Sequence, residues 1–364
     1  MLPILEWLKH VPLPFISYFK VYFDLGTSTT RIAVKDKGVV LREPSFLAYN
    51  SQSKEYIFFG GEAKNILGKT PEFLKIVRPI VSGIVSDFDA ETALVKRFID
   101  KSISPYTAQI SFLSPPLEAL AVFPLIATEI EQKAVEEVIL KAQCSSVTLI
   151  KKPLAVAAGC GFNVFSHKPN LILDMGGGLI EISIVSGGGI VTNKTLKNAG
   201  EYMDKLIANY IYLKHGVMLG EATCERLKTE CFNFTGQERV SLVRGKSLEN
   251  GLPKSVKIKT GDIREALLNN FIQIGDAVKE LIEVSPPEVV DEIFDSGMFM
   301  TGKLASIEGL DRFFSDELKI EVVRPLHFAD AAIYGLSLLD KEKDTVYRIA
   351  SYSRREPTIA VLRR

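Results

Sequence analysis

From Val21 onward, apolar and polar side chains alternate in short runs. The stretch VYFDLGTSTTRIAVKDKGVVL is broken at Gly26 and again at the Lys35-Asp36-Lys37-Gly38 turn, so it predicts three strands joined by tight turns. The plan recurs in LILDMGGGLIEISIVSGGGIVT, which begins at Leu171 and turns again at Gly187 to Gly189. Each copy is a strand that ends in Asp, a glycine-containing turn, a second strand and a third. Asp24 and Asp174 divide the chain into comparable halves, which predicts an internal duplication.

After each copy the period changes from two to between three and four. Ala90 to Ser102, Thr128 to Ala142, Ala199 to His215 and Asp262 to Val284 therefore predict helices, and the alternation of strands with helices predicts an α/β fold. Between them SISPYTAQISFLSPP, residues 102 to 116, reads as an apolar loop carrying Ile103, Tyr106, Ile110, Phe112 and Leu113. A loop this apolar is either tucked into the body or directed at a partner surface. At the start of the chain Ile4, Leu5, Trp7, Leu8 and Val11 share one side of a short helix, with Glu6, Lys9 and His10 opposite, before Pro12 and Pro14 end it. That helix is far short of the roughly 20 residues a bilayer crossing needs, so it either lies in a membrane interface or docks on the protein's own body. It lacks the basic region and small-residue cleavage site of a signal peptide. The tail from Lys341 has little periodicity and is mildly basic, which reads as a solvated extension.

Composition narrows the picture. The 364 residues are enough for two domains, and 44 basic against 44 acidic residues give no overall attraction to a polyanion, so no nucleic-acid partner is expected. Cys144, Cys160, Cys224 and Cys231 are scattered without a CxxC, and the four histidines stand apart. That pattern predicts neither a disulfide framework nor a zinc site and fits a reducing cytoplasm.

The chemistry is concentrated in the two Asp-ended hairpins. Turn amides and hydroxyls of Gly26-Thr27-Ser28-Thr29 on one side and Gly176-Gly177-Gly178 on the other would pinch a polyphosphate, with Asp24 and Asp174 holding a hydrated magnesium ion. A single glycine-rich turn is a weak signal, and a duplicated pair is a stronger one.

The chain resembles the actin-like ATPase superfamily and, within it, the MreB family of bacterial cell-shape filament proteins. The likeness runs from about residue 21 to 340. It rests on DLGTSTTRIAVKDKGVVLREPS, GGEAKNILGKTPEFLKIVRPIVSGIVSDF, AGEYMDKLIANYI, GEATCERLK, ENGLPKSVKI, DIREALLNNFIQIGDAVKELIEVSPPE and SGMFMTGKLASIEGLDRFFS, in family order. It implies two duplicated core domains, each with a smaller appended subdomain, and ATP or ADP with Mg2+ in the cleft between them. On this chain domain I would be residues 21–165 and 327–345, with its subdomain near 45–95. Domain II would be 166–326, with its subdomain near 204–265, flanked by the 1–20 segment and a 346–364 tail. The resemblance makes Thr27, Ser28 and Thr29 the first phosphate loop, and Gly176, Gly177, Gly178 and Leu179 the second. Glu225, Arg226, Leu227 and Lys228 match the helix beside ribose and adenine, while Gly302, Lys303, Leu304 and Ala305 match the second adenosine-side turn. The family further implies filaments with itself or a paralogue. It also implies a peripheral place on the cytoplasmic membrane, here through residues 2–11 and 103–113.

Three departures affect the chemistry. Leu179 and Ile180 stand where the family has two threonines before the acid that matches Glu181. Gly302-Lys303-Leu304 replaces a run of three glycines, so that either the pocket is partly filled or Lys303 reaches toward the nucleotide. Lys152 stands directly before Pro153, where the family has the acid that orders the attacking water. A protonated lysine cannot accept a proton, so hydrolysis is expected to be weak or lost and no catalytic residue is assigned. Two other roles fit the superfold: a non-polymerising scaffold, and a small-molecule kinase.

Overall fold

The structure, a computed structural model, describes residues 19–107 and 116–341. The helix expected over residues 2–11, the tail from 346 and residues 108–113 of the apolar stretch lie outside the described residues.

The predicted duplication is visible as two five-stranded sheets of one topology. In the first, Phe19–Leu25 is central: Thr29–Val34 and then Gly38–Pro44 lie antiparallel on one side, and Leu117–Phe123 and then Cys144–Lys151 lie parallel on the other. In the second, Asn170–Met175 is central, with Ile180–Ser186 and Gly189–Leu196 antiparallel on one side and Met298–Thr301 and Val322–Val323 parallel on the other. Each half thus makes a meander from its hairpins, then returns through a helical connection to add parallel strands, as parallel pairing requires. Asn170–Met175 is buried at every position, so it reads as an apolar run rather than an alternating strand. A smaller three-stranded sheet accompanies each half: Glu55–Phe59, Leu47–Asn50 and Leu74–Val77 in the first, and Val217–Met218, Val240–Ser247 and Pro253–Lys259 in the second.

Helices occupy Phe88–Thr107, Glu129–Lys141, Gly200–His215 and Thr260–Glu283, in the four places the periodicity indicates. Thr128 starts the second of these with a reciprocal cap: its side chain accepts from the Glu131 amide, while Glu131 accepts from the Thr128 amide at 2.7 Å. The loop expected from Ser102 is corrected. The first helix runs on to Thr107, because Val95, Ile99 and Ile103 continue one apolar row at four-residue spacing and all three are buried in the first core. That row outweighs the turn-forming character of Ser102, Ser104 and Pro105. Ile103 therefore belongs to the core and not to a membrane-facing loop.

The two halves meet at a pair of short helices, Lys152–Gly159 and Ala331–Leu339. Their core also takes in Tyr22 and Leu120 from the first sheet and Ile172 from the second. Their backbones touch: a Cβ on Gly335 would lie 1.7 Å from the Ala155 carbonyl oxygen, and one on Gly159 would lie 2.0 Å from that of Ala331. Glycine at both positions sets how closely the halves approach, and it places the N-terminus of the Lys152–Gly159 helix at the mouth between the two sheets.

Candidate functional site

That mouth is a cleft open to solvent on one side, with both Asp-ended hairpins on its floor. The glycines let the turns abut. A Cβ on Gly177 would come within 2.0 Å of Ser28 Oγ, and one on Gly178 within 2.2 Å of Thr27 Oγ1. Thr27 Oγ1 also accepts from the Gly83 amide at 2.8 Å, and Ser28 Oγ donates to Glu201 at 3.2 Å.

Most residues singled out from the sequence line this space: Asp24, Thr27, Ser28, Thr29, Lys152, Asp174, Gly176 to Leu179, Glu225, Lys228, Gly302, Lys303 and Leu304. Four do not. Arg226 faces solvent and pairs with Glu230 at 3.7 Å, while Ile180, Leu227 and Ala305 are buried in the second core. For Arg226 and Leu227 the reason is helical geometry, since consecutive residues point in different directions and only one face of CERLK reaches the cleft.

The departures take definite form. Leu179 is buried and packs over Gly83, where a Cβ would meet its Cδ1 at 2.6 Å; Ile180 is wholly buried in its strand. This part of the wall is apolar where hydroxyls were expected. Leu304 is also buried, so it contributes wall rather than filling the space. Lys303 is exposed at the rim, without an ion pair to any described residue.

Strand register explains the charges on the floor. Asp24 lies opposite Arg31 in the first hairpin, and their side chains pair at 3.2 Å. The equivalent pair in the second hairpin is Asp174 and Glu181, two acids side by side. The missing cation comes from another element: Lys152, at the start of its helix, places Nζ 2.7 Å from Asp174 and 3.6 Å from Glu181. The contact is Coulombic rather than directional, since Asp174 Oδ2 and Glu181 Oε2 have no well-aligned hydrogen bond. Burial by itself would lower the Lys152 pKa, but Asp174, Glu181 and Asp24 outweigh it and hold the ammonium well above its ordinary value. Burial pushes the Glu181 carboxyl up, against the opposing pull of Lys152.

The other acids in the cleft are also occupied. Glu225 pairs with Lys64 at 2.6 Å; burial would raise its pKa, but Lys64 more than offsets this and holds it below the usual value. Glu221 and Glu201 face Arg78, the latter at 3.8 Å. Lys228 is not free to meet a ligand: it is buried, pairs with Asp204 at 2.8 Å and donates to the Gly200 carbonyl at 2.7 Å. Every carboxylate lining the cleft thus has a cationic partner within 4 Å. Asp24 and Asp174 carry the oxygen donors that magnesium prefers, but each is already matched by a fixed cation, so the donor set does not fit the ion. Among the described residues no cluster of three or more metal-ligating side chains occurs.

Sequence reading missed Arg31, Lys64 and Arg78. For Arg31 the signal was present: counting back from the Gly26 turn puts it opposite Asp24.

The paired sheets and the cleft between them define a protein of actin-like fold. Among solved structures, MreB5 of Spiroplasma citri bound to ADP superposes with a TM-score of 0.84 at 29% identity, covering 91% of this chain and 99% of that one. The MamK double helical filament, at 17% identity and a TM-score of 0.73, shares the fold. A model of the MreB/Mbl protein family matches residues 19–348. The cell shape-determining protein Mbl of Bacillus subtilis is 33% identical over 87% of this chain and 94% of its own length. The cell shape-determining protein MreB of Escherichia coli K12 is 35% identical over 82% of this chain and 87% of its own. The chain belongs to the MreB/Mbl family and is an MreB-like cytoskeletal protein.

Proposed function

We propose that this chain binds ATP or ADP in the cleft and assembles, with itself or a paralogous MreB-like chain, into filaments that organise cell shape and wall synthesis. Hydrolysis is weak or lost. The observation that carries this reading is the meeting of two matching glycine turns on a floor where Lys152 stands at the position expected for the water-ordering acid. The turns keep the shape that admits phosphates. A lysine held protonated by two acids can neither take a proton from water nor orient it as an anion. Relatives support the nucleotide: the S. citri MreB5 structures contain ADP and AMPPNP.

The location that goes with this role is the cytoplasmic face of the membrane. Among the described residues no helix is long and apolar enough to cross a bilayer. Attachment would rest on residues 2–11, since Ile103 is committed to the core, and one weak anchor per subunit is multiplied along a filament.

Electron microscopy of the full chain on anionic vesicles, with and without ATP, tests both parts. Filaments lying on the vesicles in the presence of ATP are expected. Monomers on bare vesicles at every protein concentration would replace the filament reading with a non-polymerising scaffold.

A further inference from the structure

The two halves of the floor neutralise their acids in different ways. In the first hairpin the cation is part of the duplicated motif, because Arg31 is the cross-strand neighbour of Asp24. In the second, that neighbour is Glu181, and two adjacent carboxylates would be left with a charge of minus two between the strands. Such a pair attracts a divalent cation. Here one unit of that charge is met by Lys152, which is tethered to the chain, only 21% exposed and set within 4 Å of both acids, so that it occupies the space between them where an ion would sit.

We propose that Lys152 takes the place of the divalent ion, so that this chain holds nucleotide di- and triphosphates without magnesium. The inference rests on the nucleotide reading of the cleft. Its physical basis is competition for the same oxygens: an ion approaching Asp174 would have to displace or crowd a fixed ammonium 2.7 Å away. No other acid lining the cleft is left unpaired to receive it. Gly177 and Gly178 of the second turn and Thr27 and Ser28 of the first line the cleft together with Lys152, and Lys303 supplies a further cation at the rim.

The test is titration of the nucleotide-stripped full chain with ADP by isothermal calorimetry, in EDTA and in excess magnesium chloride. The expected dissociation constants agree within about threefold. Affinity weaker by about tenfold or more in EDTA would overturn the inference while leaving the nucleotide reading intact. No binding in either buffer would overturn both. The Lys152→Glu variant, which places three acids together, is expected to bind ADP only with magnesium. Should that variant fail to fold, Mn2+ electron paramagnetic resonance on the unaltered chain with ADP serves in its place: no protein-bound manganese is expected, and a stoichiometric bound signal contradicts the proposal.

Discussion

Glu91 sits in the first turn of the Phe88–Thr107 helix, wholly buried, and neither carboxyl oxygen has a hydrogen-bond partner. Burial pushes its pKa from an ordinary 4.5 up to about 8. The folded state therefore holds the proton more tightly than the unfolded chain does. Its contribution to stability is fully present below the unfolded value and is lost as pH rises toward the folded one. Stability measured by urea unfolding should fall between about pH 5 and pH 8, and Glu91→Gln should remove that slope and stabilise the protein at pH 8 by on the order of a few kcal/mol. An unchanged slope in the variant would show that Glu91 has a partner or is hydrated. The floor residues show what is legible at this scale. Arg31 follows from register alone. The Lys152 pairing does not, because it depends on a helix from one half meeting a hairpin from the other, and no local spacing records that meeting.

Elements are governed by the balance between local preference and packing. Residues 102–107 carry two serines and a proline, and local preference ends a helix there. The apolar row through Ile103 continues the helix: burying a side chain of that size contributes about 1.5–3 kcal/mol, comparable with the roughly 3 kcal/mol that a proline costs in a helix interior. The same balance runs the other way at Gly335. Alanine is the better helix former by about 1 kcal/mol, yet its Cβ would lie 1.7 Å from the Ala155 carbonyl oxygen, which is backbone and cannot rotate away. Gly335→Ala should therefore lower stability by about 1–3 kcal/mol or more, read as a fall in thermal midpoint. A higher midpoint would mean that the two helices do not cross as closely as described. The glycine at this crossing was present in the sequence, but its role was not, since the helix it meets lies more than 170 positions earlier in the chain.

At the scale of the molecule, much could be read in advance because the chain says it twice. Two Asp-ended hairpins predicted a duplication, and the two sheets share strand order and polarity throughout. What the halves build together was less accessible. CERLK contributes Glu225 and Lys228 to the cleft but turns Arg226 and Leu227 away, and the cations that close off the acids come from both halves. On the proposed function, the cleft keeps the shape of a nucleotide site, and Lys152 stands where the group that activates water is expected. Phosphate release from ATP, followed with the purified full chain at concentrations that form filaments, tests this most directly. Release far below that of an active homologue, down to the level of a protein-free blank, is the predicted result. Steady turnover comparable with an active homologue, and abolished in Asp174→Ala, would contradict it.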